Sequence, residues 1–593
     1  MRSAKFNMLN RTALIIALLF CSIAGDSTAD AAADAVQNRA QSDPDLILIN
    51  ARIKTDNGWR EAIAIRNGII TSIGDNESIG KQRGLKTEVL NLAGRTVLPG
   101  LHDLHVHPLF AGLEQFACRL EPGGSPASIS VALRLCAKNA KPGEWITGGN
   151  WVSASFNENR QDKFFLDRLI PENPVLLNDE AHHSVWVNSK ALQLAGINRN
   201  TPDPKSGIIE RDKNGEPTGL LRETATRLVE NIVPPASADL RRQALILATN
   251  QMLSYGITSF TVASVRSADI ESLSTLSRAG LLKQRVRGCI VWAPYPESAR
   301  TMGEELIAHR ALYSNDRLKF DCVKLFLDGV PTESHTAAMS TPYLHAQNAA
   351  GSGASDSGLL NMDQALLDQV VTRFDRAGLH IKFHAVGDAA VSEAIAAVAK
   401  ARSINGYGGQ SHDVGHASFV NLNDFPKALE ARTAWEFSPY IWYPTPIASE
   451  DIMTAVGPER MLRWIPIKDA LDSGALVVAG SDWSVVPSVN PWLAMETMVT
   501  RQKPGGSTET LGEQEKITLD QAFQIFTENG AELMGQRDQV GSIGIGMHAD
   551  LIVTESNPFE GPVTQVHATK VLRTLIDGKT VFDANRPPKL TAP

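Results

Sequence analysis

The residues with chemistry to offer begin at Asp103-Leu-His105-Val-His107, which closes the apolar run VLPGLHDLHVH. Residues two apart on a strand share a face, so a strand here aims two imidazoles at one place. Neutral imidazoles suit a borderline cation such as zinc. An HxH pair alone is a weak signal, because neighbouring histidines are often ordinary core or surface residues. Four more residues add to it. Lys324 sits inside CVKLFLDG, where an unpaired ammonium is costly, His384 ends LHIKFHAVGD, His416 falls in HDVGHASFV, and Asp482 ends LVVAGSDW. Each has a bland explanation: a histidine satisfied by a backbone carbonyl, a snorkelling lysine, an aspartate capping the next helix. One metal centre explains all of them together.

The elements that must position these residues alternate between strand and helix, as in a parallel α/β domain. The candidate strands are VLPGLHDLHVH, GITSFTVAS, RVRGCIVWA, FDCVKLFLDG, LHIKFHAVG, HDVGHASFV, RTAWEFSPY and LVVAGSDW. Eight such strands close a (β/α)8 TIM barrel, whose active sites lie at the C-terminal ends of the strands. We expect this barrel over residues 98–535. An insertion of about 110–235 after the first barrel strand is too long to be a bare loop. Residues 45–97 and 536–593 alternate apolar and polar positions, and we expect them to pair into one small β-sandwich.

Length and charge narrow the class. The chain has 593 residues and a net charge of −8, with no basic stripe, so nucleic acid is excluded as a partner. Arg2, Lys5 and Arg11 precede the apolar stretch Ala13–Ala24, which is too short to span a bilayer. Residues 1–30 therefore read as a signal peptide and 31–44 as a disordered leader. The expectation is an exported, periplasmic chain with no stable membrane span once mature. Phe20 is bulkier than lipoprotein processing at Cys21 accepts. Cys118 and Cys136 are close enough in sequence for a disulfide to staple their loop. Cys289 and Cys322 lie in apolar strands, where a buried free thiol is the default.

These motifs resemble the amidohydrolase superfamily, in its amidohydrolase-3 branch with the YtcJ-like proteins and N-substituted formamide deformylases. The resemblance is carried by VLPGLHDLHVHPLFAG, AHHSVWVNSKAL, GEPTGLLRETA, VKLFLDG, HAVGDAA, GHAS, AGSDWSV and GSIGIGMHADLIV, over about residues 45–585. It implies that His105, His107 and Asp482 hold a buried zinc, or another divalent metal, and that His384 and His416 hold a second where two ions are bound. Lys324 matches a position that carbon dioxide converts into a bridging carbamate. Asp482 is then the general base, and Asp103 orients a ligand histidine. His183, Trp186, Glu223 and Trp483 would line the substrate wall, with His182 a surface neighbour and Asn188 beside them. His335 and His345 fall in a covering loop. Val330, where a small residue is more usual, would narrow the pocket. A small-molecule substrate follows, and a homodimer is in keeping with the family.

The leading expectation is hydrolysis of an amide-type C–N bond, of N-acyl or N-formyl class, by metal-activated water. The same site would serve a lactone, carbamate or ester hydrolase, because fold does not fix function. A decayed barrel kept as an exported binding or regulatory protein is the non-enzyme alternative, against which the complete ligand set argues.

Overall fold

The computed structural model describes residues 43–586, apart from 122, 153–154, 157–160, 180–182, 206, 333–334 and 345–356. The signal segment with Cys21, and also His182 and His345, lie outside the described residues.

All eight expected segments form one parallel eight-stranded sheet. Its staves are β1 (Leu101–Val106), β2 (Ile257–Val265), β3 (Arg285–Val291), β4 (Leu318–Phe326), β5 (His380–Ala385), β6 (His412–His416), β7 (Thr433–Phe437) and β8 (Val477–Ala479). The sheet is nearly closed. Past the short β8, the chain returns to β1 through Asp482 N–H to His105 O at 2.7 Å and His107 N–H to Trp483 O at 2.9 Å. Gly480 is required at this seam, since a Cβ there would lie 2.3 Å from the His105 Cβ.

Period-two patterning sorts each stave. In β5, Ile381 and Phe383 join the apolar core, whereas His380 and Lys382 meet Asp413 on β6 and His384 meets Asp328 just past β4. The surrounding helices follow the 3.6-residue period. The helix Gln364–Arg376 buries Leu367, Val370, Val371 and Phe374, and Asp363 caps it by accepting the Leu366 N–H.

Both ends of the chain contribute to one six-stranded sheet. Arg52–Thr55, Gly58–Arg60 and Thr96–Pro99 lie beside Leu551–Thr554, Val571–Ile576 and Lys579–Asp583. A second, four-stranded sheet is built from residues 46–91, and Leu48, Ile65, Leu551 and Leu575 share a core. The stretch between β1 and β2 carries its own six-stranded sheet, from Cys118–Arg119 to Pro217–Glu223. No helix among the described residues is long and apolar enough to cross a membrane.

Cys118 and Cys136 are bridged. The free-thiol expectation for Cys289 and Cys322 is corrected: they form a second disulfide. The cause is strand register, which sets these two residues directly opposite on β3 and β4 with Cα atoms 4.2 Å apart. Neither strand's sequence alone reveals that pairing.

Candidate metal centre

The expected ligands converge at the C-terminal mouth of the barrel. His105, His416 and Asp482 bring ligand atoms within 4.8 Å of one another, all buried. Asp482 Oδ1 lies 3.0 Å from His107 Nε2 and 3.6 Å from His105 Nε2, and its Oδ2 lies 3.8 Å from His416 Nδ1. The His384 ring stacks edge-on to His416 with centroids 4.3 Å apart.

Two of these positions depend on unusual backbone. His416 has φ 72° and Asp482 φ 54°, in the left-handed region that non-glycine residues seldom adopt and that clusters at functional sites. Asp482 sits three residues past the end of β8, so this turn rather than strand alternation delivers its carboxylate.

Hydrogen bonding decides which nitrogen each ring offers. His416 Nδ1 lies 3.2 Å from the Ser438 carbonyl, which only accepts, so Nδ1 carries the proton. Its Nε2 is then a buried lone pair with no hydrogen-bond partner. Lys324 Nζ is likewise buried without a partner. Two orphaned polar atoms in one place call for an explanation, and a cation with its associated groups supplies one. Burial, then the charge of Lys324, holds His105 well below the usual histidine range; burial, then His384, does the same for His416. Neutral rings are the metal-binding form. Burial and the nearby Lys382 bring Lys324 down to about 7. The donor set therefore fits a divalent metal.

A cavity of about 410 Å³ opens above this cluster, lined by His105, His107, His183, Lys324, His384, His416 and Asp482. Its other walls are largely apolar, with Leu109, Phe110, Leu113, Phe326, Val330, Ile441, Ile447 and Val486, while Arg266 and Asp269 add charge. Val330 is on the wall, as anticipated.

His183 reaches this cavity from the insertion, its ring 5.9 Å from His384. Glu223 is not a wall residue; it holds His183 instead. Its Oε2 lies 3.0 Å from His183 Nδ1, and its Oε1 accepts from Thr336 Oγ1 at 2.5 Å. Although burial opposes the charged form, Glu223 raises His183 to about 9.

Two wall assignments are corrected. Trp186 is fully buried in the insertion's own core, packed edge-on to Trp151 and Phe156, with its indole N–H on the Asp162 carbonyl. Trp483 is buried beside a separate small crevice with Glu114 and Asn150. A bulky aromatic beside a polar motif fills space more often than it faces ligand. Asn188 caps the helix Ser189–Leu194 and is structural. His335 stacks on Tyr343 in the loop that follows β4.

Asp103 also acts otherwise than expected. It accepts from Ser481 N–H at 3.0 Å, Ser481 Oγ at 2.6 Å and the His105 backbone N–H at 3.2 Å. It pins the turn that presents Asp482 and touches no histidine ring. The carboxylate on the His105 ring is Glu436 of β7, 2.6 Å from Nδ1. For His384 that partner is Asp328, 3.1 Å from Nδ1, which also accepts from the N–H groups of Ala338, Val386 and Gly387. Neither was singled out from sequence, nor was Lys382, which bonds Asp413 and Glu436. The test that flagged Lys324, a charge inside an apolar strand, applies equally to IKFHA and TAWEF.

Barrel, mouth and donor set define a metal-dependent hydrolase, and comparison with known proteins agrees. The model of the Amidohydrolase family matches residues 88–582, and the chain belongs to that family. It is accordingly a hydrolase acting on carbon–nitrogen bonds. Among its relatives, a putative amidohydrolase YtcJ of Bacillus subtilis is 28% identical over 537 residues, 88% of this chain and 96% of that one. An N-substituted formamide deformylase of Arthrobacter pascens is 25% identical over 564 residues, 90% and 97% respectively. An uncharacterized metal-dependent hydrolase from Pyrococcus horikoshii shares the fold, with TM-score 0.69 and 22% identity over 87% of this chain and 99% of that one.

Proposed function

We propose that this chain is a zinc-dependent amidohydrolase that cleaves an N-acyl or N-formyl amide carrying an apolar substituent. The observation that carries the reading is the orphaned pair, Lys324 Nζ and His416 Nε2, beside the His105–His107–Asp482 contacts. His105, His107 and Asp482 would hold one zinc ion, with His384 and His416 available to a second. Zinc bound there lowers the pKa of water toward about 7 and polarises a carbonyl.

The chain's own residues do the rest. Asp482, held below the usual carboxylate range by His107 against the cost of burial, is ionised and placed to take a proton from the attacking water. It then returns that proton to the leaving nitrogen. Lys324, brought down by burial to about 7, is in part an uncharged amine near neutral pH, the form that would add carbon dioxide and release a proton to give a carbamate. That product would replace an orphaned donor by an anionic ligand. His183, charged through Glu223, faces the cavity as a donor to a substrate oxygen. The apolar walls favour a hydrophobic substituent on the amide.

Export to an oxidising compartment belongs to the same reading, supported by two disulfides in one chain and by the signal-like start. The Arthrobacter relative's name supports the N-formyl class. A panel of N-formyl amides, N-acyl amides and lactones, each with a benzyl-sized apolar group, tests the bond. Amide turnover exceeding lactone turnover is expected, and turnover of lactones alone would overturn the assignment.

A further inference from the structure

Beneath the candidate ligands lies a layer of charge buried in the barrel interior. Lys382 on β5, Asp413 on β6 and Glu436 on β7 have side chains 0–1% exposed. Lys382 Nζ lies 2.5 Å from Asp413 Oδ2 and 3.1 Å from Glu436 Oε2. Asp413 is also bonded by His380 Nε2, whose Nδ1 meets the Ser411 carbonyl. The chain of contacts thus runs from the foot of β5 up to one histidine ring at the mouth.

That ring is His105. Glu436 Oε2 contacts it at 2.6 Å, a short charge-assisted bond. The approach is built into the backbone. Gly415, on β6 opposite Glu436, leaves the space, since a Cβ there would lie 2.8 Å from Glu436 Oε2 and 3.6 Å from His105 Nδ1. Burying a carboxylate this deeply is tolerable only with a paired cation, and Lys382 is that cation. Nothing in the layer touches the cavity: neither Lys382, Asp413 nor Glu436 is on its wall.

We infer that Glu436, backed by Lys382 and Asp413, is a positioning residue that fixes the His105 tautomer and ring orientation. Glu436 Oε2 already accepts from Lys382 Nζ, which can only donate, so His105 Nδ1 bears the proton toward that oxygen and Nε2, 3.6 Å from Asp482 Oδ1, presents its lone pair to the cation. Asp103, the carboxylate nearest in sequence, is spent on backbone groups and Ser481. The inference rests on the metal reading above and adds the residues that tune it.

The test measures zinc affinity by competition with a chelator on the purified full-length chain, together with the visible spectrum of its cobalt(II)-substituted form. Glu436→Gln keeps size and removes the charge. It should weaken zinc binding about 10–100-fold and shift the cobalt bands, with Glu436→Asp falling between it and the parent. In a His105→Ala background, Glu436→Gln should change affinity by less than about 2-fold, because the partner through which it acts is gone. Melting of the metal-free variants shows whether each is folded, and Glu436→Asp carries the test should Glu436→Gln fail to fold. Unchanged affinity and spectrum in both Glu436 variants, or an undiminished loss in the His105→Ala background, would overturn the positioning role. A parent chain that retains no zinc would instead sink the metal reading itself.

Discussion

The two ends of the same barrel treat buried charge in opposite ways. At the foot, Arg285 opens β3 and is almost fully buried, yet it is held by Asp550 Oδ2 at 2.8 Å and Asp577 Oδ1 at 2.6 Å. Asp577 also pairs with Arg317 and lies 2.7 Å from His548 Nδ1. At the mouth, Lys324 Nζ and His416 Nε2 are buried with no hydrogen-bond partner. Burial without compensation costs free energy that selection removes unless the group is used. The foot is therefore a clamp between barrel and terminal sheet, whereas the mouth gathers polar side chains whose donor set suits a cation.

That contrast can be broken by mutation, the largest effect first. Asp482→Asn should lower kcat about 10²–10⁴-fold while lowering the melting temperature of the metal-free chain less than Asp550→Ala does, read by steady-state rates and calorimetry. Asp550→Ala should do the reverse. It removes one of the two carboxylates on Arg285, leaving Asp577, and should cost about 1–3 kcal/mol in denaturant unfolding, with zinc affinity retained. A loss of stability from Asp482→Asn equal to that from Asp550→Ala would erase the distinction between the two ends.

The next effect has the opposite sign. Lys324→Met removes an unpartnered amine and should stabilise the metal-free chain by about 1–3 kcal/mol, although activity falls. Destabilisation would mean that Lys324 is already paired.

The smallest effect is one of pH. Against burial, Glu223 raises His183 from 6.5 to about 9. A folded pKa above the unfolded one adds stability that is fully present below about 6.5 and lost as pH rises through about 9. Thermal melts across that window should therefore decline, and Glu223→Gln should flatten the decline. An unaltered slope in that variant would remove Glu223 as the cause.

How much of this was legible in the sequence follows from the range of each signal. Period-two alternation and apolar runs are local, so all eight staves and the ligand candidates on them could be read directly. The left-handed backbone at His416, φ 72°, and at Asp482, φ 54°, is not encoded by any local pattern. The Cys289–Cys322 bridge and the Glu436–His105 contact are products of strand register and barrel curvature, linking residues 33 and 331 positions apart. Trp186 and Trp483 were misplaced because proximity in sequence to a polar motif says nothing about which face an aromatic ring takes. Lys382 and Glu436 were within reach of sequence reasoning, since each is a charge inside an otherwise apolar strand.

The most direct trial of the central claim, that the barrel mouth is a catalytic cation site, is a zinc titration. The metal-depleted chain would be titrated with zinc while bound metal and hydrolysis of an apolar N-formyl amide are followed together. Activity should be absent at the start, rise in proportion to bound zinc, and saturate at one or two ions per chain. Full activity before any zinc is added, or zinc bound at that ratio by a His105→Ala/Asp482→Ala chain, would contradict the account.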